Sequence, residues 1–164
     1  MPRALNLAGR SLSAFVALAL LAGCPPPKGA DSAATAPLIF VQPAANDRLL
    51  AEFLEGLQKH VTDEPDSGHR RGRLAIAYEV NGFPDAALET YAQAAALAPS
   101  EATWPYLLGV LALREGRLDA ALSSAQRAGE LEPGTASARL LAGWVLICLL
   151  YTSPSPRDAI ASRL

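Results

Sequence analysis

Two histidines, two cysteines and a scatter of carboxylates are the residues of this 164-residue chain whose types suit chemistry. His60 and His69 each lack a Cys or His at the spacing a zinc site needs. Cys24 and Cys148 are too few for a disulfide framework and have no metal-site spacing. Glu79, Asp85 and Glu89 are scattered carboxylates, not a matched acid and base. Ser123 and Ser124 stand outside any nucleophile-elbow context, and no glycine loop is shaped for phosphate. His69, Arg70, Arg71 and Arg73 form a short basic run, read as a solvated helix face in preference to a phosphate site. The expectation is a protein that is not an enzyme and that uses no cofactor and no metal. Function is therefore expected in binding.

Composition narrows the partner. Formal net charge is −2, from 14 basic and 16 acidic side chains, so the electrostatic footprint of a nucleic-acid binder is missing. Hydrophobic residues make up 51% but aromatics only 6%, with Ala and Leu supplying most of the apolar content, which favours closely packed helices over sheets.

The positions that must be arranged by the fold recur. Gly82 and Gly116, Asp85 and Asp119, and Pro99 and Pro133 each stand 34 residues apart, and eight of eighteen positions in 82–99 and 116–133 are identical. A fixed period of this length is the signature of stacked helical hairpins. Gly82 and Gly116 fall where a helix must stop. Pro84, Asp85 and Asp119 suit the first turn of the next helix, and Pro99 and Pro133 block its continuation. Small residues at Ala75, Ala87, Gly109 and Ala121 let helix axes approach, with Leu74, Leu88, Leu108 and Leu122 filling the space between.

These residues resemble the tetratricopeptide repeat. Leu74, Ala75, Tyr78, Gly82, Ala87, Tyr91, Ala94 and Pro99 match its pattern in residues 68–101. Leu108, Gly109, Gly116, Ala121, Ala128 and Pro133 match it in 102–135, where Trp104 sits one position early and Ala112 and Ala125 replace the expected aromatics. Ala142, Gly143 and Leu146 begin a third repeat at 136–147. Upstream, Leu49, Leu50, Phe53, Leu54, Leu57 and Val61 recur at helical spacing, so residues 45–67 read as a degenerate repeat helix or a cap. The implied fold is all-α, an antiparallel helix-hairpin solenoid.

The N-terminus reads as an export signal. Arg3 and Arg10 form a positive n-region before an apolar run, residues 11–21, which is too short for a comfortable membrane span. Leu21-Ala22-Gly23-Cys24 follows, and it resembles the lipobox of bacterial lipoproteins. That resemblance implies a signal peptide over 1–23, cleavage between Gly23 and Cys24, and acyl chains on the sulfur and new amino group of Cys24. Several chains together anchor stably, at about 0.8 kcal/mol per buried methylene. Pro25 follows in place of Asp, which leans toward the outer over the inner membrane. Residues 24–44 then read as the lipidated Cys and a flexible linker rich in Pro, Ala, Gly and Ser.

The far end reads differently. Residues 148–158, Cys-Leu-Leu-Tyr-Thr-Ser-Pro-Ser-Pro-Arg-Asp, resemble the translation of a transposase-type sequencing adapter. Residues 148–164 are therefore expected to be read-through, with native coding ending near Leu146 or Ile147 and the third repeat cut inside its first helix.

The tetratricopeptide resemblance implies a concave groove lined by first-helix positions two, five, nine and twelve. Here these are His69, Gly72, Ile76 and Glu79, then Thr103, Tyr106, Val110 and Leu113, then Ser137, Leu140 and Trp144. Tyr106 and Trp144 are the aromatic anchors of such a surface. The expected function is a lipid-anchored, periplasm-facing adaptor in the bacterial cell envelope that holds a protein or peptide partner, with envelope or pilus assembly as the family-level setting. An alternative makes the repeats an accessory module of an envelope enzyme.

Overall fold

The computed structural model describes residues 36–44 and 47–152. The expected signal peptide, the expected cleavage site between Gly23 and Cys24, the expected lipidation at Cys24 and residues 153–164 lie outside the described residues. Among the described residues the chain forms six helices and no strand. They are α1 (Arg48–Asp63), α2 (Gly68–Val80), α3 (Pro84–Leu97), α4 (Thr103–Arg114), α5 (Leu118–Leu131) and α6 (Ala136–Thr152). Consecutive helices pack on one another, and α6 also reaches α4. This is the tetratricopeptide-type hairpin solenoid, with α2–α3 and α4–α5 as its two full hairpins.

Local chemistry explains the boundaries. Asp47 caps α1 by accepting from the Leu50 amide at 3.1 Å, and Ser67 caps α2 by accepting from Arg70 at 3.3 Å. Pro84 opens α3 in the first turn, where its missing N–H costs nothing, and Asp85 and Asp119 place negative charge at the starts of α3 and α5. At the end of α2, Gly82 takes φ +81°. Its amide donates to Glu79 at 3.2 Å, and the next amide, Phe83, reaches back to Tyr78 at 2.9 Å. One period later Gly116 takes φ +72°, its amide donates to Leu113 at 3.1 Å, and Arg117 donates to Ala112 at 2.8 Å. Both turns are thus Schellman motifs, closed by the only residue type that takes this backbone conformation without strain. The second helices, α3 and α5, stop at Leu97 and Leu131, two residues before Pro99 and Pro133.

The core follows the repeat. Leu74, Ala75, Tyr78, Ala87, Tyr91 and Ala94 are fully buried in the first hairpin. Leu111, Ala112, Ala121, Ala125 and Ala128 occupy the second, so smaller side chains fill the places the first hairpin gives to tyrosines. Small residues are needed where helices touch: a Cβ on Gly109 would stand 3.0 Å from Leu141 and 3.3 Å from the Ala121 carbonyl.

Two expectations change. In α1, Leu54 and Val61 are buried, but Leu49 and Phe53 point outward at 81% and 54% exposure. The apolar stripe of α1 is therefore wider than the face its neighbours cover. Residues 36–41, expected within a flexible linker, lie against the helices, with Leu38 and Val41 packed on the core and the Ala36, Pro37 and Ile39 carbonyls accepting from side chains of α2 and α3.

Candidate functional site

The expected groove residues occupy the first helices of the hairpins, α2, α4 and α6. Seven-residue spacing, two turns, puts His69 and Ile76 on one stripe of α2, and Tyr106 and Leu113 on the corresponding stripe of α4. Ile76, Leu140 and Trp144 are exposed, at 39%, 63% and 62%. Tyr106, Val110 and Leu113 are half-buried and pack against the core. Thr103, Tyr106 and Ser137 come together on one recess of about 320 Å³, where α4 and α6 begin and α5 ends.

Other expected positions are spent on the fold. Gly72 is buried beneath Trp104: a Cβ there would stand 2.3–2.5 Å from three atoms of the indole ring. Trp104 is itself 3% exposed, donates its indole N–H to Glu101 at 2.9 Å, and meets the His69 ring edge-on at a centroid distance of 5.6 Å. The tryptophan set one position early is thus the wedge between α2 and α4, and it fills the part of the groove that Gly72 was expected to line. Pairing a large residue on one helix with a glycine one repeat earlier was a signal present in the sequence.

Glu79 is likewise engaged. One carboxylate oxygen takes the Tyr91 hydroxyl at 2.8 Å and the other meets Arg114 at 2.9 Å, joining α2, α3 and α4. Burial, then the hydrogen bond and charge of Glu79, push the Tyr91 phenol far above its ordinary value, with Arg114 opposing. Glu79 is therefore a latch between hairpins, not a free charge in a groove.

The basic run divides in the same way. Arg71 is 3% exposed and turns inward, its affinity for protons lowered by burial with Asp66 opposing. Arg70 donates to Glu64 at 2.5 Å and to the His60 carbonyl at 3.2 Å. His69 and Arg73 are exposed, on the rim of a recess of about 500 Å³ between α1 and α2. One helix face therefore does not present these four basic side chains together.

Among the described residues no group of three or more His, Cys, Asp and Glu side chains could hold a metal ion. No described helix is long and apolar enough to cross a membrane. Cys148 lies in α6 as a free, half-buried thiol.

No family model matches the chain, and no curated protein matches it. Among solved structures, the crystal structure of MamA is similar, with a TM-score of 0.56 and 23% sequence identity over 68% of this chain and 67% of that one. The similarity is one of fold, a helical array of the same kind.

Proposed function

We propose that this chain is a tetratricopeptide-type adaptor that holds a protein partner on the surface shared by α2, α4 and α6. The observation that carries the reading is the row of apolar side chains left uncovered on these helices, Ile76, Leu140 and Trp144, beside half-buried Tyr106, Val110 and Leu113. A soluble array rarely leaves large apolar groups in register unless a partner covers them. The absence of free charge along the row, with Glu79 bound to Arg114 and Tyr91, fits a helix or extended peptide held by burial. The lipobox resemblance at Cys24 adds a lipid anchor, and with it a periplasm-facing site in the bacterial envelope where assembly factors are recruited.

Two substitutions test this reading separately. Trp144→Ala removes an exposed anchor, so helicity and thermal stability should hold while partner capture falls about tenfold or more, as at an aromatic hot spot. Tyr106→Ala is the less clean variant, because Tyr106 also packs on the core. Cys24→Ser should move the protein from the membrane fraction to the soluble one. A mutant that still pelleted with membranes would remove the anchor and leave the adaptor surface standing.

A further inference from the structure

Residues 36–41 carry a second binding arrangement on another side of α2. Arg71 and Tyr78 are seven residues apart and share a stripe, displaced by two residues from that of His69 and Ile76. At 100° per residue the two stripes lie about 200° apart around the helix. Gln93 of α3 stands beside Arg71, which donates to its side-chain oxygen.

All three side chains are buried and donate to main-chain carbonyls of one short segment. Both terminal nitrogens of Arg71 reach the Ala36 carbonyl at 3.4 Å, while its Nε reaches Pro65 at 3.4 Å. Gln93 Nε2 donates to the Pro37 carbonyl at 3.3 Å. The Tyr78 hydroxyl donates to the Ile39 carbonyl at 2.5 Å and accepts from Gln58 of α1 at 3.0 Å. Three of four successive carbonyls are thereby taken by donors from two helices, and α1 orients the third donor. Among described residues no buried side-chain polar atom lacks a partner.

Such contacts read the backbone, not the side chains. Side-chain selection is confined to Leu38 and Val41, which pack on the core. Phe40, between them, is 69% exposed, and residues 40–43 and α1 line a recess of about 1010 Å³. A few hydrogen bonds and two half-buried side chains offset the ordering entropy of these six residues.

We propose that Arg71, Tyr78 and Gln93 form a carbonyl-reading track for extended apolar peptide, with residues 36–41 as its resident ligand. When the segment lifts, the track offers three donor groups in an apolar setting to another peptide of the same chemistry. The array then has two peptide sites on different faces, one of them closed in cis.

The test uses a fluorescently labelled synthetic peptide of residues 36–43 and the full chain carrying Leu38→Ser and Val41→Ser. The resident segment competes in the unsubstituted chain, so the peptide should bind the substituted chain about tenfold more tightly, in proportion to the vacant fraction. Adding Gln93→Leu should then weaken binding about fivefold or more, by loss of the donor to Pro37 and of the acceptor that holds Arg71. No binding to a substituted chain of normal helicity, or equal binding to both chains, overturns the proposal. A measurement on the unsubstituted chain stands independently of the variants. Chymotrypsin should cut after Leu38 and Phe40 about tenfold more slowly than in the free peptide, and equal rates overturn the resident contact.

Discussion

Single residues in this protein carry more than their types suggest. Gly72 is the clearest: an added methyl would collide with the face of Trp104, a rigid ring wedged between two helices. Gly72→Ala should cost about 2 kcal/mol in chemical denaturation, as overpacking does. The cost should shrink when Trp104→Leu is introduced with it, because the two sites touch. Tyr91 supplies a second outcome. Its folded-state phenol holds its proton more tightly than the ordinary tyrosine value of about 10. Its contribution to stability is therefore complete below about pH 10 and is lost as pH rises toward the folded-state value. Tyr91→Phe removes the titrating group, so its stability should fall less steeply with pH in alkaline denaturation, though it starts lower for want of the bond to Glu79. A decline as steep as that of the unsubstituted chain would refute this role for the phenol.

At the scale of elements, the hairpin is the repeating unit and its turn is the repeating constraint. Gly82 and Gly116 both have positive φ, and space is open around each, so a side chain there meets strain in the backbone alone. Gly82→Ala and Gly116→Ala should each cost about 1 kcal/mol. The two costs should add, since the glycines close different hairpins. Helix ends and hairpin order were legible in the sequence because glycine, proline and aspartate act through local backbone geometry that does not depend on neighbours. Burial was less legible. Leu49, Phe53 and Leu54 share one apolar pattern, yet Leu54 alone is covered, because which side a neighbour approaches from is a tertiary matter. The docked segment was hidden for the same reason. Nothing in the composition of residues 36–41 announces that Arg71, Tyr78 and Gln93 converge on their carbonyls.

Across the whole molecule, the hairpins stack into an array whose first helices share a surface. Expected groove positions have separated into two kinds. Gly72 and Glu79 hold helices together, whereas Ile76, Leu140 and Trp144 remain uncovered. A repeat pattern states which positions face inward but not which are consumed by contacts between repeats, and this limited how far the sequence alone could define the site. The proposed function requires a partner lying along the uncovered row. Site-specific photo-crosslinking tests it most directly, with the reactive group placed at 76, 140 or 144, or at the exposed positions Glu89 and Gln126 on α3 and α5. A partner seated on the row gives a discrete adduct from the first set and none from the second. Equal adducts from both sets, or adducts from Glu89 and Gln126 alone, would contradict it.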